Sequence, residues 1–352
     1  MGFILNQENL QKLHTWLDSH PLGLDCHPVI DDIVNPDMSR HKEVVERILT
    51  AYHKSKEEWW DVGYEYMPNE MWNKSVQDIR SNFLDALRTG KGVGNFLQNF
   101  WRNECSEHLV KYAKYTDVLV HGKDAQDYFK YRALRDWDAL QDFTDERDIK
   151  KLALPAVGNP YGCVVGETLI TGASTHSYYY ADKISALIQG IERPVVAEIG
   201  GGSGAMAYYL LKRNSSLRYL NFDLPEILAV SQYFLMMALP DRKFELYGED
   251  VADFDIALLP NFCIATVEDN SCDVVANFHS LSEMSQEAVD NYSKQISRIC
   301  RGYFYHENSV QQQDFNETPI YGFNPEGFCR IYTSPAIWGE PIYRENLHRK
   351  LI

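Results

Sequence analysis

One stretch limits what this chain can fold into more than any other. Residues 194–226 read PVVAEIGGGSGAMAYYLLKRNSSLRYLNFDLPE. Pro194 opens a short apolar run, Val195 to Ile199, of strand composition. Gly200, Gly201, Gly202, Ser203 and Gly204 follow, then a helical segment from Ala205 to about Arg213 and a second strand, Arg218 to Phe222, that ends at Asp223. Strand, glycine turn, helix, strand and acid, in that order, build a nucleoside pocket at the carboxyl edge of a parallel sheet. The glycines let a ligand approach the backbone because no Cβ intervenes. The start of the helix offers free N–H groups. The acid at the end of the second strand can accept both hydroxyls of a ribose.

The glycines alone leave the ligand open. Gly200-x-Gly202-x-x-Ala205 also meets the dinucleotide fingerprint, which would suit NAD, and a βαβ unit with a decorative glycine turn is a third reading. Three features favour S-adenosylmethionine (SAM). Glu198 lies two residues before the first glycine, where a carboxylate suits a ligand with an ammonium group and suits a pyrophosphate poorly. Asp223 is followed at once by Leu224-Pro225, and proline belongs in a first helical turn. No second glycine fingerprint appears downstream.

EIGGGSG, NFDLPE and, at 277–284, NFHSLSEM together resemble the sugar O-methyltransferase family of class I SAM-dependent enzymes. The DLP step is also similar to small-molecule O-methyltransferases of the plant type. The similarity covers roughly residues 155–310. It implies a class I methyltransferase fold: an α/β, Rossmann-like, seven-stranded sheet with helices on both faces. SAM is the implied cofactor and S-adenosylhomocysteine the product. The implied cofactor contacts are Glu198, Gly200, Gly202, Gly204, Asp223, Leu224, Asp250, Asn277 and Tyr179.

Composition bounds the rest. The chain has 352 residues, enough for one catalytic domain and one smaller helical domain. Asp plus Glu number 50 against 34 Lys plus Arg, and the net charge of −16 argues against a nucleic-acid partner. Seven scattered cysteines with no CxxC pair read as reduced thiols, not as a disulfide frame or zinc site. No basic-plus-apolar leader and no apolar run of about 18 residues is present, so the expectation is a cytoplasmic protein without a membrane partner.

Along the chain, helices are predicted over 6–20, from Ser39 through Leu49, and over 73–88, 94–115 and 124–142, with a loop at 21–38. The expected domains are therefore 1–150, mainly helical, and 151–352, the SAM-binding part, joined by a charged hinge at 142–151. The first serves as a substrate lid, a dimerisation domain or a purely structural cap. The Trp- and Tyr-rich stretch 54–72 suits packing against neighbouring elements or a second subunit, so a homodimer stays open. Val164 to Ile170 reads as a small strand. His176 and Tyr178 to Tyr180 stand where such enzymes cross over the cofactor, so these rings either cover the sulfonium or pack the helix they enter. A long apolar helix is predicted from Glu226 to Met237, and a third strand from Phe244 to Tyr247 ends at Gly248-Glu249-Asp250. Asp250 accepts from the adenine amino group or caps a helix. The acidic loop to Asn270 carries no signal. The fourth strand is 271–277, a helix runs from Glu287 to Cys300, the fifth strand is Tyr303 to Tyr305, and 328–334 and 341–347 finish the sheet.

The chemistry belongs at the carboxyl ends of these strands. Methyl transfer is an in-line displacement, and a sugar hydroxyl must lose a proton to a base near working pH. His279, after strand four, is the first candidate, in the position where the plant-type enzymes carry their base. His306, after strand five, is the second. Glu283 orients the base, binds a sugar hydroxyl or is simply an acid at a helix N-terminus, stabilised by the dipole. Asp250, Asp253 and Asp255 raise the question of a metal but do not fit a calcium loop, so no metal is expected. The reading is an O-methyltransferase acting on a hydroxyl of a sugar or glycosylated metabolite. The alternatives are an aromatic or polyketide-like acceptor, an NAD-dependent dehydrogenase and a non-catalytic SAM-fold subunit.

Overall fold

The structure, a computed structural model, describes residues 7–29, 31–33, 37–70, 72–73, 76–77, 79–81, 92–102, 115–311, 318–338 and 342–351. The chain divides into two compact units, Met1–Arg40 with Asn82–Tyr180, and His41–Ser81 with Ala181–Ile352. The division does not coincide with a cut at residue 150. Residues 41–81 join the second unit, 151–180 stay in the first, and the boundary falls inside a helix, Ser174–Leu187. The charged segment expected as a hinge ends in a short helix, Ile149–Leu152, capped by Asp148 and lying within the first unit.

In the first unit, helix Gln7–Ser19 buries Leu13 and Leu17 and lies along helix Lys123–Phe143. Trp16 meets Tyr131 edge-on at 5.0 Å, and His14 and His20 bridge to Asp127 and Asp138. Helix Gly92–Gln98 also belongs here. The predicted helices over 73–88 and 94–115 fall partly outside the described residues. The predicted loop at 21–38 contains a strand, β1 (Cys26–Val29), paired antiparallel with β2 (Gly162–Val165), which pairs in turn with β3 (Thr168–Ile170). This unit is therefore helical with a small sheet.

The second unit is built on one sheet of eight strands, one more than expected. Its strands are β4 (Val195–Ile199), β5 (Arg218–Asp223), β6 (Phe244–Leu246), β7 (Ile256–Pro260), β8 (Cys272–Phe278), β9 (Cys300–Ser309), β10 (Phe328–Pro335) and β11 (Tyr343–Lys350). Their order is β10-β11-β9-β8-β4-β5-β7-β6. The six from β4 to β9 run parallel, and β11 inserts antiparallel beside β9. From β4 the chain builds outward through β5 to one side, then returns to build through β8 and β9 on the other. The reversal lies between β4 and β8, where open α/β sheets take their ligands. Because such crossovers are right-handed, the reversal also sends helices to opposite faces. Helix Gln286–Ile299 packs on the face lined by Ala197, Ile199, Phe222, Val275 and Phe304. Helices Ala205–Arg213 and Pro225–Ala238 take the other.

Helix Pro225–Ala238 is buried over almost its whole circumference. A helix apolar all round needs cover on its outer side, and His41–Glu58 supplies it. His41 Nδ1 lies 2.9 Å from the Tyr233 hydroxyl, and Glu226, buried at 1% exposure, accepts from Tyr52 and pairs with Lys56 at 3.1 Å. The aromatic stretch that follows packs within the same unit: Trp59 faces Phe262, and Tyr66 meets Tyr292 edge-on. Trp60 and Tyr64 remain exposed.

Arg47 ties this helix to the far edge of the sheet. Its Nε and Nη2 donate to both oxygens of Glu249 at 2.9 and 2.8 Å, and Nη2 also reaches the Phe244 carbonyl. Bidentate pairing of this kind is worth more than a simple surface pair, but both groups are about 30% exposed and screened. Arg47→Ala is expected to lower stability by about 1 kcal/mol, a drop of a few degrees in Tm. An unchanged melting curve would show that the helix does not rest on this contact.

Candidate cofactor and active site

The glycine turn is shaped by its neighbours. Gly200, Gly202 and Gly204 have φ of 73°, 57° and 81°, the left-handed region that side chains disfavour. A Cβ on Gly200 would sit 2.2 Å from Ser280 Oγ, and one on Gly201 would sit 2.6 Å from Asn221 Oδ1. The turn is pinned from below: the amide of Gly200 donates to Phe222 O, that of Gly201 to Asn221 Oδ1, and that of Gly202 to Asp223 Oδ2 at 2.9 Å.

Two carboxyls stand beside it on one face of the sheet. Glu198 is buried at the end of β4, and the Tyr219 hydroxyl donates to it from β5. Burial pushes its carboxyl up to about 8. The Tyr219 hydrogen bond pulls the other way, and Asp223 adds to the rise. Asp223 is raised to about 7, chiefly by burial, against the amides of Gly202 and Leu224 that favour its charged form; Glu283 pushes it up further. Leu224 contributes that amide at 2.7 Å and is the N-cap residue of helix Pro225–Ala238.

Across the reversal, Asn277 holds the strand ends together. Its Nδ2 donates to Ile199 O at 2.8 Å and to Ser280 Oγ at 2.5 Å, while Oδ1 accepts from Leu281 N and Asn308 Nδ2. All four hydrogen-bonding positions of the amide are thereby used inside the protein. Expected from the sequence as a cofactor contact, Asn277 instead has its side chain spent in fixing the frame.

His279 follows in a left-handed conformation, φ 69°, unusual for a side-chain residue. Its amide donates to Glu307 O at 2.7 Å, and its carbonyl accepts from Ser282 Oγ. Its Nε2 lies 3.2 Å from Glu307 Oε1, and its ring sits 4.6 Å from that of Tyr343. Glu283 accepts from the Trp72 indole at 3.1 Å, and its backbone carbonyl accepts from Asn69.

Three expected residues lie elsewhere. His306 is the register partner of Asn277, and strand alternation turns it to the face opposite Glu198 and Glu307. Its ring stacks on Phe304 and His348, Nδ1 faces Asn308 and Nε2 faces His348 at 3.3 Å. Burial, then His348 and Arg330, hold it well below the ordinary histidine range, so it is a core residue and a poor base. Asp250 lies four residues beyond the end of the edge strand β6 and is exposed. The strand beside Asp223 is β7, whose Pro260 pairs with Asp223, so Asn261 and Phe262 occupy the place expected for Asp250. Tyr179 belongs to the first unit, buried edge-on against Tyr180.

Sequence reasoning missed Tyr219, Asn221 and Asn261. The apolar run Ile256 to Leu259, bounded by an acid and a proline, was the available signal for β7. Among the described residues no group of three or more His, Cys, Asp or Glu could hold a metal ion. Asp253 pairs with Arg193, and Asp255 accepts from the Lys243 amide. No helix among the described residues is long and apolar enough to cross a membrane.

No family model and no curated protein matches the sequence. Solved structures match about half of the chain. The mitomycin 7-O-methyltransferase MmcR overlays 51% of this chain and 55% of its own, at 16% identity and a TM-score of 0.37. The magnesium protoporphyrin IX methyltransferase of Synechocystis PCC 6803, solved with bound SAM, overlays 50% of this chain and 81% of its own, at 13% identity and a TM-score of 0.33. The small RNA methyltransferase HEN1 overlays 49% of this chain and 25% of its own, at 13% identity and a TM-score of 0.37. The likeness is partial at this level, and the functional reading stands on the geometry of the site.

Two buried carboxyls held above their ordinary range make stability pH-dependent. The folded chain keeps protons that the unfolded chain loses, from Glu198 between about 4.5 and about 8. The native state binds more protons in that window, so stability falls as pH rises through it. Glu198→Gln removes this loss. Without ligand, the variant is expected to melt several degrees above the parent at pH 8, with the gap closing toward pH 5. Equal melting at both pH values would contradict the burial of this carboxyl.

Proposed function

We propose that the chain is a SAM-dependent O-methyltransferase that moves a methyl group to a hydroxyl of a sugar or glycosylated metabolite. The observation that carries this reading is the pair of buried carboxyls flanking the glycine turn. Glu198 suits the ammonium of an amino-acid tail, and Asp223 suits ribose hydroxyls. The turn between them is held so closely against Ser280 and Asn221 that a Cβ on Gly200 or Gly201 would clash with them, and the buried amide Nδ2 of Asn221 has no partner among the described residues. That donor set fits an amino-acid-bearing nucleoside. A dinucleotide pyrophosphate would bring no cation to the buried Glu198 carboxyl. Asn261 and Phe262, at the neighbouring strand end, are the candidates for the adenine side.

When bound, the cofactor supplies a methyl group already activated by a sulfonium. The protein must then align the acceptor and remove its proton. His279 is the proposed base. With Nε2–H donating to Glu307, Nδ1 carries the lone pair that takes the hydroxyl proton, and the buried carboxylate steadies the imidazolium that forms. The left-handed backbone at His279, bonded on both sides, fixes where the ring points. Glu283, held by Trp72, is placed to meet an acceptor hydroxyl. The sugar acceptor is supported by the resemblance of NFHSLSEM, and the homodimer remains a proposal to be read from solution mass.

S-adenosylhomocysteine at about 100 times its Kd should stabilise the protein by about 2.7 kcal/mol, and NAD should not. A shift with NAD alone would overturn the cofactor reading. In a methyl-transfer assay, His279→Ala is expected to lower turnover by about 10²-fold or more. His306→Ala should act on Tm and leave the pH dependence of kcat in place. Loss of turnover through His306 alone would reverse the assignment.

A further inference from the structure

Glu198 sits among groups whose arrangement goes beyond holding an ammonium. Its register partner across β4 and β5 is Asn221, so the two side chains stand side by side on one face. Tyr219 and Asp223 share that face, two residues to either side of Asn221. The Tyr219 hydroxyl donates to Glu198 Oε2. Asn221 is fully buried; its Oδ1 is taken by the Gly201 amide, while Nδ2 has no partner among the described residues. A buried amide nitrogen left unpaired costs free energy comparable to a lost hydrogen bond. It is a donor waiting for an acceptor. No lysine or arginine pairs with Glu198 or Asp223 among the described residues, and the other charged group acting on Asp223 is Glu283, an acid.

A buried acid pair without a cation keeps protons until a cation comes. We propose that entry of a ligand bearing an ammonium group is coupled to release of a proton from Glu198 to solvent, with Tyr219 and Asn221 as the positioning residues that stabilise the carboxylate so formed. The inference rests on the reading of the crevice as a site for an amino-acid-bearing nucleoside. No bond other than O–H breaks: the ammonium arrives charged, the carboxyl ionises, and the buried site passes from neutral acid to ion pair. Tyr219 already donates to the carboxyl, and Asn221 carries the spare N–H on the same face. The carboxyl of Glu198, raised to about 8, and that of Asp223, raised to about 7, place this exchange in the neutral range.

The probe is S-adenosylhomocysteine, which carries the ammonium and the ribose, titrated by calorimetry into the full chain. Runs in phosphate and in Tris, which differ in protonation enthalpy, give the protons released per ligand. The expected result is a release of roughly half a proton to two protons per site at pH 7, with affinity rising up to about tenfold per released proton for each pH unit between 6 and 8. Tyr219→Phe removes a hydrogen bond that favours the carboxylate, so its release should shift to higher pH. Glu198→Gln should lose the Glu198 share, and Asp223→Asn reports the remainder. Binding with no buffer dependence at pH 7 would overturn the inference while leaving the cofactor reading intact. Absence of binding in the parent protein would sink the cofactor reading itself. If Glu198→Gln fails to fold, judged by circular dichroism, Tyr219→Phe decides: an unshifted release curve rejects the role of Glu198.

Discussion

The site depends on one amide. Asn277 stands where the sheet reverses its building direction, and its side chain joins the end of β4 to the loop that follows β8. The backbones of these two strands, far apart in sequence, pair over Val196–Glu198, and the Asn277 amide carries that join past the last paired residues. Each of its hydrogen bonds is worth about 1 kcal/mol net, but breaking the set would leave several buried groups unpaired. Ser280, held by the same amide, occupies the space that a Cβ on Gly200 would need. The glycine turn and the His279 loop are thus fixed against each other in one frame.

Beside this satisfied network lies an unsatisfied one. Among the described residues the Asn221 Nδ2 is buried without a partner, and Glu198 and Asp223 are buried acids with no lysine or arginine paired to them. A structure selected only for stability would fill these positions with apolar side chains. Local conflict of this kind concentrates at functional sites, where the missing partner is the ligand. The contrast with Asn277 separates the two roles: a polar residue whose bonds are all internal builds the frame, and one whose bonds are incomplete faces what the frame is for.

The segment His41–Ser81 has a similar division of labour. Its helix covers the outer side of the apolar helix Pro225–Ala238, and its later residues, Tyr66, Asn69 and Trp72, reach the strand ends at Asn261 and Glu283. A part of the chain without any chemical motif therefore shapes the candidate active site, and it belongs to the sheet unit despite the long stretch of chain that separates them.

Much of the architecture was legible in the residues alone. Val195–Ile199 and Ala205–Arg213 fall where composition placed them, and the strands at 218, 244, 272 and 328 lie within a residue of expectation, because periodicity and glycine placement are local signals. The pairing of strands was not local. Asp250 lost its expected place because the five residues of β7 insert beside β5, a choice made by burial between distant segments. His306 and Glu307 are adjacent in sequence, yet alternation sends one into a stacked core and the other to His279. The sequence determined the glycine turn, the acids beside it and most of the elements that hold them. Only the tertiary structure decided which face each side chain takes and which strand end stands next to which, since those follow from packing across hundreds of residues and not from any neighbour in the chain.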